Sequence, residues 1–227
     1  MEKLPLYIGT VFVLTTILTI YIFYKATKKS KLTLIIILAW LCIQSFVALS
    51  GFYTTTNTFP PRFAFLVLPP LILIVTLFIT NKGRQYVDSL DIKTLTILQV
   101  IRVPIEFVLY WLFIHKTVSR LVTFEGNNFD IISGLTAPAI FYFGFMRKSL
   151  GKNVILVWNF ICLALLINVV AYAVQSAPSV FQKLSFEQPT IAVLYFPFNW
   201  LPCCVVPLVL FSHLVTIRQL FRKRKEI

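Results

Sequence analysis

The amino-acid sequence predicts an all-α fold, a polytopic membrane bundle of seven transmembrane helices with its N-terminus outside and its C-terminus cytoplasmic. Three observations predict it. Hydrophobic residues make up 58% of the 227 residues and charged residues 13%, about half the charged share of an ordinary soluble domain. Mean hydropathy is +0.85, which leaves too little polar surface to cover a water-soluble globule. Lys and Arg punctuate the apolar runs, falling between them and hardly ever inside.

Seven runs approach the ~20 residues that a helix needs to cross a bilayer. They are Leu6–Tyr24, Leu32–Gly51, Phe63–Thr80, Thr94–Phe113, Ile131–Phe145, Asn153–Ala173 and Ile191–Ile217. The fifth is short, and the seventh is long enough to tilt, break or overshoot. Each is apolar all round, unlike a soluble amphipathic helix. Hydrocarbon obliges every backbone amide to be satisfied internally, and the ~10-residue alternation of barrel strands is missing, so the runs read as helices. No repeat of fixed period and no appended soluble domain interrupts them, which makes residues 1–227 a single domain. Glu2 and Lys3 do not form a basic leader region and the first run has full span length, so it reads as a retained anchor.

Orientation follows from the Lys and Arg of alternate loops. One side holds Lys25, Lys28, Lys29, Lys31, Lys82, Arg84, Lys93, Arg147, Lys148, Lys152, Arg218, Arg222, Lys223, Arg224 and Lys225; the other holds Lys3, Arg62, Lys116, Arg120 and Lys183. The richer side is expected to face the cytoplasm, with the run from Arg222 to Lys225 anchored at the inner leaflet. The net charge of +13 is thus topological. It does not gather on one folded face as a nucleic-acid binder requires, so no nucleic-acid partner is expected. The partner is the lipid bilayer of the cell membrane. Cys42, Cys162, Cys203 and Cys204 all fall within apolar runs without metal-ligand spacing, so they read as buried thiols. No metal and no cofactor is expected.

The sharpest feature is Arg102 and Glu106 inside the fourth run. A charge at the bilayer centre costs about 2.5–3.5 kcal/mol on insertion scales. Spacing of i,i+4 puts the two on one helix face, where they can pair, although Arg before Glu is the weaker order. Gln99 and Tyr110 extend the stripe at helical period. Pro104 removes the amide that would bond the Val100 carbonyl, so a kink is expected there. The two longest connections between runs, Ile114–Asp130 and Val174–Thr190, have 17 residues each. In the first, Lys116–Phe124 is patterned as a short interfacial helix. It leads into Glu125, Asn127, Asn128 and Asp130 around Gly126, where Asp130 is placed to cap the fifth helix and Glu125 and Asn128 to line the mouth of an outer pocket. Asn168, Tyr172 and Gln175 share a face of the sixth helix near that mouth. In the seventh run, Pro197, Pro202 and Pro207 flank Asn199; non-helical backbone at depth is tolerated only inside protein or beside water. Gln44 and Asn159 are read as single interhelical hydrogen-bond partners, and His115 and His213 as lying too far apart to share a metal.

Two seven-helix classes are excluded by their own requirements. A retinal protein needs a lysine in the last helix, and none occurs between Lys183 and Lys223; the inner end of the third run reads Asn81-Lys82-Gly83-Arg84, not the Asp-Arg-Tyr-like cluster of a G-protein-coupled receptor. The expected function is binding of a small anionic, zwitterionic or amphipathic ligand in an outward-facing pocket, as transporter or sensor, with Gln99, Arg102, Glu106, Tyr110, Glu125, Asn128, Asp130 and Asn199 as ligand-binding candidates. The alternatives are a membrane-embedded enzyme acting on a lipid or lipid-linked substrate, with Glu106 or Glu125 as base, and a structural accessory subunit. No catalytic constellation can be assembled from the spacings.

Overall fold

A computed structural model describes residues 4–225. Glu2, Lys3 and Glu226 lie outside the described residues, and so do the side chains of Lys223, Arg224 and Lys225. Among the described residues the chain is helical, with no strand. The helices are α1 (Leu6–Ala26), α2 (Lys31–Leu49), α3 (Ala64–Ile79), α4 (Asn81–Ser89), α5 (Ile92–Ile114), α6 (Ile131–Met146), α7 (Lys152–Ser176) and α8 (Leu201–Arg222). Five of them, α1, α2, α5, α7 and α8, are long and apolar enough to cross a membrane. A sixth crossing is reached when α3 and α4, bent by 95°, count together.

The centre of the bundle is α5 with α8, each about half buried, whereas α2 and α7 leave most of their surface outside. Leu95, Leu98, Ile101, Val108 and Leu112 of α5 meet Ile8, Phe12 and Phe23 of α1 and Val205, Val209 and Val215 of α8 in one core. Three threonines on α1 enter that core without exposing a donor, because Thr15, Thr16 and Thr19 each donate back to the carbonyl four residues earlier. The outer faces are apolar too: Leu14, Ile17, Ile35, Phe46, Ile72, Ile161 and Ile167 are all exposed. An apolar surface this extensive fits lipid and not water.

Prolines set where the spans depart from the expected ones. Pro69 and Pro70 leave α3 continuous, but the carbonyls four residues before a proline lose their amide donor. For Pro69 that carbonyl is Phe65 O, and Gln44 Nε2 on α2 donates to it at 3.4 Å. For Pro207 it is Cys203 O, and the Trp40 indole, also on α2, donates to it at 2.9 Å. Side chains of α2 thus repair two broken ladders on neighbouring helices. The seventh run is not one helix from Ile191: Ala192–Leu194 is a single 3-10 turn, further turns follow, and α8 begins with a π-helical stretch, Leu201–Val205. In α5 the turn before Pro104 tightens to 3-10 geometry over Gln99–Ile101, where a kink was expected. The segment Lys116–Phe124 is not an interfacial helix. Only Arg120–Val122 is helical, as one 3-10 turn, and Val118 and Val122 are buried. Its backbone is tied inward instead, with Thr117 O accepting from the amides of Ile191 and Ala192.

One end of the bundle carries the basic loops. There the Asp91 amide donates to Ala26 O, Ile92, Ile155 and Leu220 cluster, and Asp88 accepts from Arg218 at 3.0 and 3.1 Å and from Arg222. Partial burial alone would raise the Asp88 carboxyl, but the hydrogen bond and charge of Arg218, then those of Arg222, outweigh it and hold it below the usual carboxylate range.

The α3–α4 bend rests on Gly83, where a Cβ would meet Leu77 O at 2.5 Å and Leu77 Cα at 2.6 Å. Gly83→Ala is expected to lower the stability of the detergent-solubilised protein by about 1–3 kcal/mol, measured by thermal unfolding. Gly151→Ala, with nothing within 4 Å of the new Cβ, is the control and is expected to cost nothing comparable. A depressed carboxyl contributes stability that is complete above the pKa of the unfolded chain and is lost as pH falls through the folded value. Acidification below about pH 4 is therefore expected to erode the Asp88 contribution progressively, and Asp88→Asn to flatten that part of the stability profile.

Candidate functional site

Arg102 is the residue that hydrocarbon tolerates least, and the fold builds a shell around it. It sits on the buried face of α5, 3% exposed. Its Nη1 donates to Asp130 Oδ1 at 2.8 Å, forming an ion pair, and to the Cys162 carbonyl of α7 at 3.4 Å. Its Nη2 lies 2.9 Å from His213 Nε2 on α8. A guanidinium only donates, so His213 Nε2 accepts and the ring proton sits on Nδ1. That nitrogen is 2.9 Å from Asn159 Oδ1, and Asn159 Nδ2 donates onward to Ile155 O at 2.8 Å. Each bond from Arg102 Nη2 through His213 to Asn159 and Ile155 O pairs a donor with an acceptor, which fixes the tautomer.

The expected Arg102–Glu106 pair does not form. Arg102 takes its carboxylate from Asp130 instead, because Arg before Glu at i,i+4 aims the side chains poorly and Glu106 lies a turn further along, level with the incoming loop. There Glu106 Oε1 accepts from Asn128 Nδ2 at 2.5 Å. Asn128 Nδ2 also donates to Val122 O, and its Oδ1 accepts the Asp130 amide at 2.9 Å. Asp130 makes no side-chain cap on α6: its carboxylate turns inward to Arg102. Asn128 and Asp130 are thus delivered into the interior by a loop that folds down between the helices. Tight contacts hold it there. A Cβ on Gly126 would meet Arg120 O at 2.2 Å, and one on Gly134 would meet Val103 Cγ2 at 2.8 Å.

Five of the expected residues come together: Gln99, Arg102, Glu106, Asn128 and Asp130, all buried. Tyr110 and Glu125 lie at the rim, where the Tyr110 ring packs on Phe124 with centroids 4.9 Å apart and Glu125 is exposed beside the Tyr110 hydroxyl. Asn127 and α7 close that rim, with Asn127 Nδ2 donating to the Tyr172 hydroxyl at 3.0 Å and Asn168 Nδ2 to Asn127 O at 2.8 Å. Asn199 does not join them. It is buried in a separate polar group, donating to Gln44 O at 3.0 Å, while Tyr53 donates to Gln44 Oε1 at 2.5 Å. The sequence reading did not place His213 and Asn159 at this site: His213 binds Arg102, and Asn159 binds His213 as the interhelical partner it was read to be; the signal available was two polar residues in otherwise apolar spans.

Four polar atoms of the cluster are buried with no hydrogen-bond partner among the described residues: Gln99 Oε1, Arg102 Nε, Glu106 Oε2 and Ser133 Oγ. No group of three or more His, Cys, Asp or Glu among the described residues is arranged to hold a metal ion.

Residues 64–221 match the family described as Domain of unknown function (DUF8737), and the chain belongs to that family. The match contains the whole cluster. No curated protein and no solved structure matches the chain.

Removing one partner of a buried ion pair leaves an uncompensated charge and costs about 3–5 kcal/mol. Arg102→Leu and Asp130→Leu are each expected to destabilise the purified protein on that scale. The double variant is expected to be more stable than either single one in thermal unfolding.

Proposed function

We propose that the chain is a seven-span integral protein of the cell membrane that binds a small anionic or zwitterionic ligand at Arg102, as a transporter or sensor, and that its outer loop is the gate. In this reading α3 with α4 supplies the third crossing and the short α6 the fifth. The basic end is then cytoplasmic by its excess of Lys and Arg, the N-terminus is outside, and residues 115–130 fold in from the outer face as part of one domain over 1–227.

The observation that carries the proposal is the way Arg102 is held. Its carboxylate partner, Asp130, belongs to a loop and not to a spanning helix, and the cluster holds four buried polar atoms without partners, Arg102 Nε among them. Each such atom costs about 1–3 kcal/mol, and a cluster that served packing alone is matched or bettered by apolar residues of similar volume. Asp130 acts as a built-in competitor: a ligand carboxylate or phosphate takes its place on Arg102, and the loop moves outward. The contacts that keep the loop shut at the rim, Asn127 with Tyr172 and Asn168, involve exposed side chains and are worth only about 0.5–1.5 kcal/mol each.

Accessibility tests the gate. Ser133→Cys, in a chain whose four native cysteines are replaced by alanine, is expected to react slowly with a membrane-impermeant thiol reagent added outside sealed vesicles. Asp130→Asn is expected to raise that rate about tenfold or more, the effect of about 1.4 kcal/mol of lost loop attachment. A loop that serves only as a pin predicts that Asp130→Asn lowers thermal stability and leaves Ser133→Cys unreactive from the outside. That result sinks the gating proposal.

A further inference from the structure

We infer that the cleft between α2, α3 and α8 binds a single-chain amphiphile with an anionic head, its tail inside the bundle and its head on lysines of the basic end. This site shares no residue with the Arg102 cluster and stands independently of it. The cleft encloses about 410 Å³ and is lined by Ile36, Ile37, Trp40, Leu73, Leu77 and Leu208 among others, a size within the usual range for ligand pockets. Its few polar groups are already engaged. The Trp40 indole donates to Cys203 O, and the Thr33 and Tyr86 hydroxyls bond each other at 3.1 Å. The wall therefore offers an occupant apolar contact and nothing else, which suits a hydrocarbon tail.

Charge at the mouth specifies the head. Thr33 and Tyr86 mark the end of the cleft that opens at the basic end. Lys31 precedes Thr33 by two residues, and Lys82 stands one turn before Tyr86 on the same face of α4. Lys28 and Lys29, in the turn leading to α2, hold left-handed backbone with φ of 54° and 64°. That conformation is uncommon for residues other than glycine and costs free energy, yet both positions carry exposed lysines. Among the described residues none of these four lysines has an ion-pair partner. The acids of this end are committed elsewhere: Asp88 to Arg218 and Arg222, Asp91 to the first turn of its own helix and the Thr94 hydroxyl. The acids of the described residues at this end leave these lysines without a counter-charge, and an amphiphile seated in the cleft places its carboxylate or phosphate among them.

Palmitate carrying a photoreactive diazirine in its tail tests the assignment on the full chain in detergent, with the neutral diazirine-bearing hexadecanol as comparison. Saturable labelling of peptides containing Trp40 or Leu208 is expected. Ile37→Trp, which fills the cleft, is expected to abolish most of it. Lys31→Glu with Lys82→Glu, both at exposed positions, is expected to weaken palmitate labelling about tenfold or more and to leave the alcohol unchanged. Labelling that rises linearly without saturation marks ordinary boundary lipid and overturns the inference. So does equal labelling by acid and alcohol that is indifferent to the lysine reversals, a result that can be read even where Ile37→Trp fails to fold.

Discussion

A guanidinium inside hydrocarbon is the constraint from which the rest of this architecture follows. Arg102 cannot shed its proton and cannot face lipid, so α5 has to be central, and three other segments have to bring acceptors to it. Asp130 comes from the loop, Cys162 O from α7 and His213 from α8, with Asn159 fixing the imidazole from behind. The same constraint explains α6. Because Asp130 is drawn in to Arg102, the helix that starts at Ile131 begins inside the bundle, and its 16 residues end in a π-helical stretch. A loop pulled to depth exposes backbone, and that backbone is bonded internally, as apolar surroundings require: Gln188 Nε2 reaches Phe113 O and Val118 O at 2.9 and 2.7 Å.

A second economy runs through α2. Its polar side chains do not point at one another. Gln44 and Trp40 donate to carbonyls that Pro69 and Pro207 leave without an amide, and Ser45 accepts from the Trp200 indole. Proline interruption, which in hydrocarbon would expose unsatisfied backbone, is here turned into interhelical adhesion. Since α2 is attached by these few bonds and by one apolar face, the space beside it remains a cleft.

The helices were legible because hydropathy is a local property: each run of about 20 apolar residues announces itself. Their ends were less so. The seventh run was expected from Ile191, yet residues 191–200 are drawn into turns by backbone bonds to Thr117 and by Pro197 and Pro202, a tertiary effect that no window over the run reports. Within the site, the expense of Arg102 and Glu106 could be read directly, but not their partners. Asp130 lies 28 residues from Arg102 and His213 lies 111 away, and pairing over such separations leaves no periodic trace. Asp130 looked like a cap because an aspartate before an apolar helix has that role in water; a buried cation is the stronger competitor for its carboxylate. His213 and Asn159 were visible only as polar residues whose burial needed a reason.

Charge conservation limits what could replace Asp130. Withdrawing that carboxylate without substitution leaves Arg102 bonded only to a neutral imidazole and a carbonyl dipole, with Glu106 one turn away as the one carboxyl still near it. A neutral polar ligand would meet the hydrogen-bonding geometry and fail the electrostatics. In the proposed reading an anionic head meets both, at a guanidinium whose Nε has no partner among the described residues. In the proposed reading the ligand class follows from the ion pair: an anion that opens the loop brings back the negative charge that the loop takes away.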